Sequence, residues 1–214
     1  MPFRDRADAG RQLAARLEPL RGADVVVLGL PRGGVPVAAE VAAALGAPLD
    51  VIGVRKLGAP GRSELAMGAV GEGGVVVRDD AVVSATRVAD EQFAAAEARE
   101  RAELAERLGR IRTVHPRLPL TGRTVVVVDD GVATGSTARA ACAVVRAEGA
   151  ARVVLAVPVC AAEAARSLTA VADEVVAVEV PERFRSVGGS YDRFDQTDEQ
   201  VVLDLLRDSG PRSR

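Results

Sequence analysis

Residues 125–137 read VVVVDDGVATGST: four valines, two aspartates and a turn of small and hydroxyl residues. A run of β-branched residues forms a buried strand, and the turn that follows hands the chain to a helix whose first N–H groups lack partners of their own. Such a helix start attracts anions, so Ala133, Thr134, Gly135, Ser136 and Thr137 can wrap a phosphate with backbone amides and hydroxyls. Asp129 and Asp130 stand just before that cradle, where carboxylates would repel phosphate but accept hydrogen bonds from sugar hydroxyls. Together these residues suit a sugar phosphate. An ordinary strand-to-helix turn also uses Asp, Ser and Thr as caps, but paired acids joined to a hydroxyl-rich turn exceed a capping box. The GK[ST] of a nucleotide-hydrolysing P-loop is missing from this segment.

Two further groups stand out. Leu30-Pro31-Arg32-Gly33-Gly34 closes an earlier apolar run; its glycines let the backbone approach a ligand closely, and Arg32 offers a fork of donors. Of the 28 Lys and Arg residues, Lys56 is the only lysine, and a site that keeps lysine in an arginine-using chain suits a compact ammonium.

These groups need a scaffold. The runs at 25–30, 49–54, 124–128, 153–157 and 174–178 are apolar enough to be buried on both faces, as central parallel strands are. Helical stretches at 35–45, 136–148 and 161–171 alternate with them, which predicts an α/β fold: a doubly wound, mostly parallel sheet flanked by helices. Ligands then sit at the carboxyl ends of the strands. Residues 64–78, with GEGG at their centre, predict a β-hairpin. Residues 84–112 predict one long polar helix with a sparse apolar stripe of Phe93, Leu104, Leu108 and Ile111. Its Glu97/Arg101, Glu103/Arg107 and Glu106/Arg110 pairs have favourable i,i+4 spacing. No domain boundary is visible, so residues 1–214 are expected to form one domain with a helical insertion over about 84–115.

Composition narrows the function classes. With 214 residues, 48% hydrophobic and 27% charged, the chain is an ordinary globular sequence, and its aromatic content of 2% leaves Ala, Val and Leu to build the core. A net charge of −2 gives no general attraction to nucleic acid or to an anionic membrane. Cys142, Cys160 and the single histidine, His115, lack zinc-site spacing. An N-terminal amphipathic segment carrying acids and bases, and no long uncharged apolar run, predict a soluble, cytoplasmic protein.

The strand-DD-x-x-A-T-G-S-T arrangement resembles the signature for 5-phosphoribosyl-1-pyrophosphate (PRPP) in type I phosphoribosyltransferases, and the resemblance extends over most of the chain. It implies that Asp129 and Asp130 hold the ribose hydroxyls and that Ala133 to Thr137 hold the 5′-phosphate. It places a pyrophosphate loop at Pro31, Arg32, Gly33 and Gly34, with a cis peptide between Pro31 and Arg32. Arg32 and Lys56 then act on the leaving group. A mobile loop follows Lys56, from which Arg62 and Glu64 are candidates to reach the ligand. Residues 184–192 (FRSVGGSYD) are similar to the base-binding hood, expected over about 180–200. There Phe184, Val187 and Tyr191 are candidates to line the base, and Asp192 to meet Mg²⁺. Ala133 stands where purine-salvage members commonly carry an acid that handles a proton of the base.

The resemblance implies transfer of the phosphoribosyl group from PRPP to a small nitrogenous base, with Mg²⁺ as cofactor, no nucleic acid or membrane partner, and a homodimer as a candidate assembly. A non-catalytic PRPP-binding regulator could use the same 125–137 segment. A dinucleotide-binding Rossmann protein is disfavoured, because no GxGxxG follows the first strand.

Overall fold

A computed structural model describes residues 2–209, apart from the side chains of Ser63 and Glu64. Helix α1 (Arg6–Arg16) starts where the Asp5 carboxylate accepts from the Asp8 N–H, satisfying one of the first-turn donors. Strand β1 (Val25–Gly29), helix α2 (Gly34–Leu45) and the short strand β2 (Leu49–Val51) form the first crossover unit. An antiparallel excursion follows, with β3 (Val54–Ala59), β4 (Arg62–Gly71) and β5 (Val76–Arg78), then helices α3 (Asp80–Thr86) and α4 (Asp90–Val114). The main sheet resumes with β6 (Thr124–Val128), α5 (Ser136–Ala147), β7 (Arg152–Val159), α6 (Ala162–Leu168) and β8 (Glu174–Glu179), and α7 (Glu199–Asp208) follows.

The five-stranded sheet has the order β2-β1-β6-β7-β8 and every pairing is parallel. Successive side chains point to opposite faces, so its apolar strands feed two cores. Val25, Val27, Val126 and Val128 meet α1, α2 and α7, while Val26, Leu28, Val125 and Val127 meet α5 and α6. The predicted doubly wound sheet is present.

Three expectations need correction. The run 49–54 is not one strand: β2 ends at Val51, and the chain leaves the sheet through Ile52 and Gly53 into β3. Gly53 is pressed against α4, where an added Cβ would lie 2.2 Å from Leu108 Cδ1. The hairpin predicted at 64–78 exists as β4 and β5, but β3 pairs with β4 on the other side, so the loop expected after Lys56 is the arm of a second hairpin. The helix predicted over 84–112 is two helices. Arg87 adopts a left-handed conformation (φ 55°) that ends α3, and the Gln92 side chain accepts from the Ala89 N–H to start α4.

Of the three i,i+4 pairs, Glu97–Arg101 forms; Glu103 is taken by Arg55, and Arg110 reaches Glu199. The expected stripe of α4 is buried, and long-range partners outweigh local spacing for Glu103 and Arg110. A small separate core of Leu57, Met67, Val70, Val83 and Phe93 joins the antiparallel sheet to α3 and α4.

The far end of α4 is fixed by a buried charge network. Asp50, 1% exposed on β2, accepts from Arg112 Nη1 at 2.7 Å, and its second oxygen accepts from the Leu118 N–H at 3.0 Å. Arg112 also pairs with Glu72 in the β4–β5 turn. One guanidinium therefore ties α4, β2 and the antiparallel sheet together. Arg112→Ala should lower unfolding free energy by about 3 kcal/mol, because removing one partner leaves a buried carboxylate uncompensated. Urea denaturation showing a loss below about 1 kcal/mol would mean that the network is relieved by water.

Candidate active site

Strands β1 and β6 lie side by side in register, with Gly29 opposite Val128, so their carboxyl ends stop level with one another. The chain leaving β1 stays attached to β6: the Leu30 N–H donates to the Val128 carbonyl at 2.8 Å, and the Gly34 N–H donates to the Leu30 carbonyl at 3.0 Å. Between them the Pro31–Arg32 peptide is cis, as the resemblance implies. The loop is pressed onto the acid pair. A Cβ at Gly34 would lie 2.6 Å from the Val128 carbonyl oxygen and 2.9 Å from Asp129 Cα, and one at Gly33 only 2.0 Å from Asp130 Oδ2. At Gly34 the neighbours are backbone atoms that cannot yield, so only glycine allows that contact; a side chain at Gly33 would displace the Asp130 carboxylate.

Beyond Asp130 the chain stretches toward β7. The Val132 N–H donates to the Val159 carbonyl, and the Ala161 N–H to the Val132 carbonyl, both at 2.9 Å. Gly135, in the left-handed region at φ 80°, then turns the chain into α5, whose start has no side-chain cap. Thr134 and Thr137 are exposed and Ser136 is half-buried, with Thr134 Oγ1 and Ser136 Oγ 3.4 Å apart. The arrangement offers an uncapped helix start with hydroxyls around it, next to two carboxylates and a glycine loop. Those parts match phosphate, sugar and a second anionic group in that order.

Lys56 sits on β3, opposite Ala69 of β4. Pro31, Lys56, Arg62 and Thr137 share the wall of one cavity of about 900 Å³. The structure thus brings together the acid pair, the PRGG loop, the α5 start and Lys56. Arg62 lies on β4 at the cavity wall; Glu64 lies on the same strand, with its side chain outside the described residues.

A model of the phosphoribosyl transferase domain matches residues 4–187. The chain belongs to the type I phosphoribosyltransferase family. A Mycobacterium tuberculosis protein provisionally named as a phosphoribosyl transferase is 53% identical over 204 residues, covering 95% of this chain and 46% of its own length. The chain therefore spans about half the length of the curated relatives it matches. The crystal structure of the Thermus thermophilus protein TT1426 is 50% identical with a TM-score of 0.91, over 97% of this chain and 99% of that one. The Aquifex aeolicus protein AQ2163 shares the fold at 13% identity and a TM-score of 0.50, over 86% of this chain and 78% of that one.

In this phosphoribosyltransferase-family chain the segment expected as the hood is bound to the N-terminus. The Phe3 N–H donates to the Ser190 carbonyl, and the Asp192 N–H donates to the Phe3 carbonyl, both at 2.8 Å. Asp192 itself is exposed. Phe184 is half-buried in the same cluster, and Val187 rests on Gly131, where an added Cβ would lie 2.5 Å from Val187 Cγ1. Tyr191, a candidate to line the base, is engaged in packing. It is 7% exposed, its ring has Phe3 and Phe194 as neighbours, and its hydroxyl donates to the Asp130 carbonyl. Its aromatic surface is used in packing, so it supports the acid pair from beneath.

Arg6 is the site residue that sequence reasoning missed. Its Nε and Nη2 each lie 2.8 Å from Asp130 Oδ2, its Nη1 donates to the Asp195 carbonyl at 2.6 Å, and its guanidinium carbon is 4.0 Å from the Phe194 ring centre. In the sequence Arg6 is one arginine among many, 124 residues from its partner, with no local signal. The ion pair steadies Asp130 against its acidic neighbour.

Electrostatics separate the two aspartates. Burial, and then the charge of Asp130, push the Asp129 carboxyl up to about 8. Burial also raises Asp130, but the Arg6 guanidinium pulls it back toward ionisation. A carboxyl whose folded pKa exceeds its unfolded value of 3.8 contributes stability that is complete below that value and is lost as pH rises toward about 8. Asp129→Asn keeps an oxygen to accept from the Asp130 N–H but cannot ionise. Relative to the parent, this variant should gain melting temperature steadily from pH 5 to pH 8 without ligand. A difference that stays constant across that range would show that Asp129 ionises in the folded chain as it does in the unfolded one.

Proposed function

We propose that the chain transfers the 5-phosphoribosyl group of PRPP to a nitrogenous base and releases pyrophosphate. The observation that carries this reading is the contact of Gly33 and Gly34 with Asp130 and Asp129, three residues before the Ala133–Thr137 turn. It supports a diphosphate lying beside a ribose, with a terminal phosphate one turn away.

In the proposed reaction the bond from the sugar C1 to the leaving oxygen loosens first. Positive, oxocarbenium-like charge develops on the ribose and negative charge on the departing diphosphate. Asp129 and Asp130 orient the ribose through its hydroxyls, and the α5 start holds the 5′-phosphate, so C1 is presented in a fixed position. Arg32 and Lys56 offset the charge growing on the diphosphate. The base nitrogen then bonds to C1 from the face opposite the leaving group, and no covalent enzyme intermediate is required. Phe184 and Val187 remain the candidates to line the base. Ala133 supplies no acid to manage a proton of a purine, which leaves the acceptor class open.

Among the described residues no cluster of three or more His, Cys, Asp or Glu side chains could hold a metal by itself. That fits Mg²⁺, which keeps several waters and is bound through one or two carboxylates together with substrate phosphates. Asp192 is the proposed protein carboxylate, and Mg²⁺, when bound with PRPP, would neutralise diphosphate charge.

Calorimetric titration with PRPP, followed by a PRPP-consumption assay over purine and pyrimidine bases, tests the reading. Binding with turnover supports it; binding without turnover on any base would mark a PRPP-binding regulator; no binding would remove both. Arg32→Ala should reduce turnover by about 10²-fold, the scale for losing one donor to developing charge. It should change affinity for ribose 5-phosphate, which has no diphosphate, by less than threefold. An equal loss for both would mean that Arg32 only shapes the loop.

A further inference from the structure

The 900 Å³ cavity extends well past the residues assigned to PRPP. Pro31, Lys56 and Thr137 line one end; the other end lies under α4, in the inserted helical region. In the sheet the order is β2-β1-β6-β7-β8, with the ribose acids at the end of β6 and the diphosphate loop at the end of β1. The α4 end of the cavity, against Ile52 and Gly53 beyond β2, is therefore on the far side of the leaving group from the ribose. An acceptor base must approach C1 opposite that leaving group, from the side of β7 and β8. Neither the ribose nor the base accounts for the α4 end.

Its lining has a definite chemistry. Ile52, Leu104 and Leu108 form an apolar floor, each at most 3% exposed. Basic residues dominate its charged groups: the whole lining carries five Lys and Arg residues and one acid, Glu100. Glu100 is already engaged by both Arg55 and Arg99, and Arg55 also takes Glu103. Arg62 on β4 and Arg107 on α4 border the same void, and neither pairs with a carboxylate of a described side chain. Two guanidinium groups beside an apolar floor, with Glu100 and Glu103 taken by other arginines, form the complement of an anion carried on an apolar body.

We propose that the α4 end of the cavity binds an amphiphilic anion, a carboxylate or phosphate attached to a ring or hydrocarbon body, separately from PRPP. Arg107 and Arg62 hold the charged group and Leu104 and Leu108 hold the body.

Titration calorimetry on the whole chain tests this with phenyl phosphate, benzoate, benzyl alcohol and inorganic phosphate, with PRPP titrated separately. At least one of the two aromatic anions should bind more tightly than both benzyl alcohol and inorganic phosphate, and the stronger of the two identifies the charged group. Arg107→Glu should weaken that binding tenfold or more, leave PRPP affinity within twofold and leave the melting temperature unchanged; Arg62→Glu should weaken the same probe independently. Failure of both aromatic anions to bind, or equal affinity in parent and Arg107→Glu, would overturn the proposal even if PRPP binds. Loss of aromatic-anion binding in Arg107→Glu with no PRPP binding to the parent would support this site while removing the phosphoribosyl reading.

Discussion

Two strand ends can serve one ligand only if the chains leaving them come closer than side chains permit. At Gly34 the backbone passes so near β6 that a methyl group would lie 2.6 Å from the Val128 carbonyl, and at Gly33 it meets the carboxylate of Asp130. This close approach depends on the even register of β1 and β6, which brings Gly29 and Val128 level, and on two hydrogen bonds that hold the loop down. A side chain at Gly34 would meet the backbone of Val128 and Asp129 and force the glycine loop away from the acid pair, because no rotamer moves backbone atoms. The two cores of Val, Leu and Ala on either face of the sheet keep that register rigid.

The closeness creates an electrostatic problem that the chain solves from its N-terminus. Adjacent aspartates at a partly buried strand end repel one another and lose hydration. Arg6 supplies the compensating charge, and the same guanidinium rests on Phe194 and binds the Asp195 carbonyl. Asp130 is held from below as well, by the Tyr191 hydroxyl on its carbonyl. The N-terminal helix and the C-terminal segment are thereby parts of the site, although neither carries a residue pattern that announces it. Asp129, with no cation of its own, is the member of the pair that burial can keep protonated.

Much of this was legible in the sequence because the signals are local. Apolar runs of five or six residues identified all but one of the main strands closely, the acids and the hydroxyl turn fall within residues 129–137, and the glycine loop is itself a run of adjacent residues. What escaped depends on contacts distant in sequence. The single helix expected over 84–112 breaks at Arg87, a non-glycine residue with positive φ, where composition gives no warning. The run at 49–54 has strand composition throughout, yet α4 packs onto Gly53 and turns its last part into another sheet. Tyr191 was legible as a scarce aromatic in the right segment, but only packing shows that Phe3 and Phe194 claim its ring. Arg6 could be found only by folding the chain.

The central claim is that the contact between the glycine loop and the acid pair defines one PRPP site. A crystal structure of the chain grown with PRPP and Mg²⁺ tests it most directly. The account predicts the 5′-phosphate against the backbone N–H groups of Ala133 to Thr137, the ribose hydroxyls within hydrogen-bonding distance of Asp129 and Asp130, and the diphosphate along Pro31 to Gly34. PRPP bound with its ribose away from the aspartates, or an empty site at a PRPP concentration that saturates binding in solution, would contradict it.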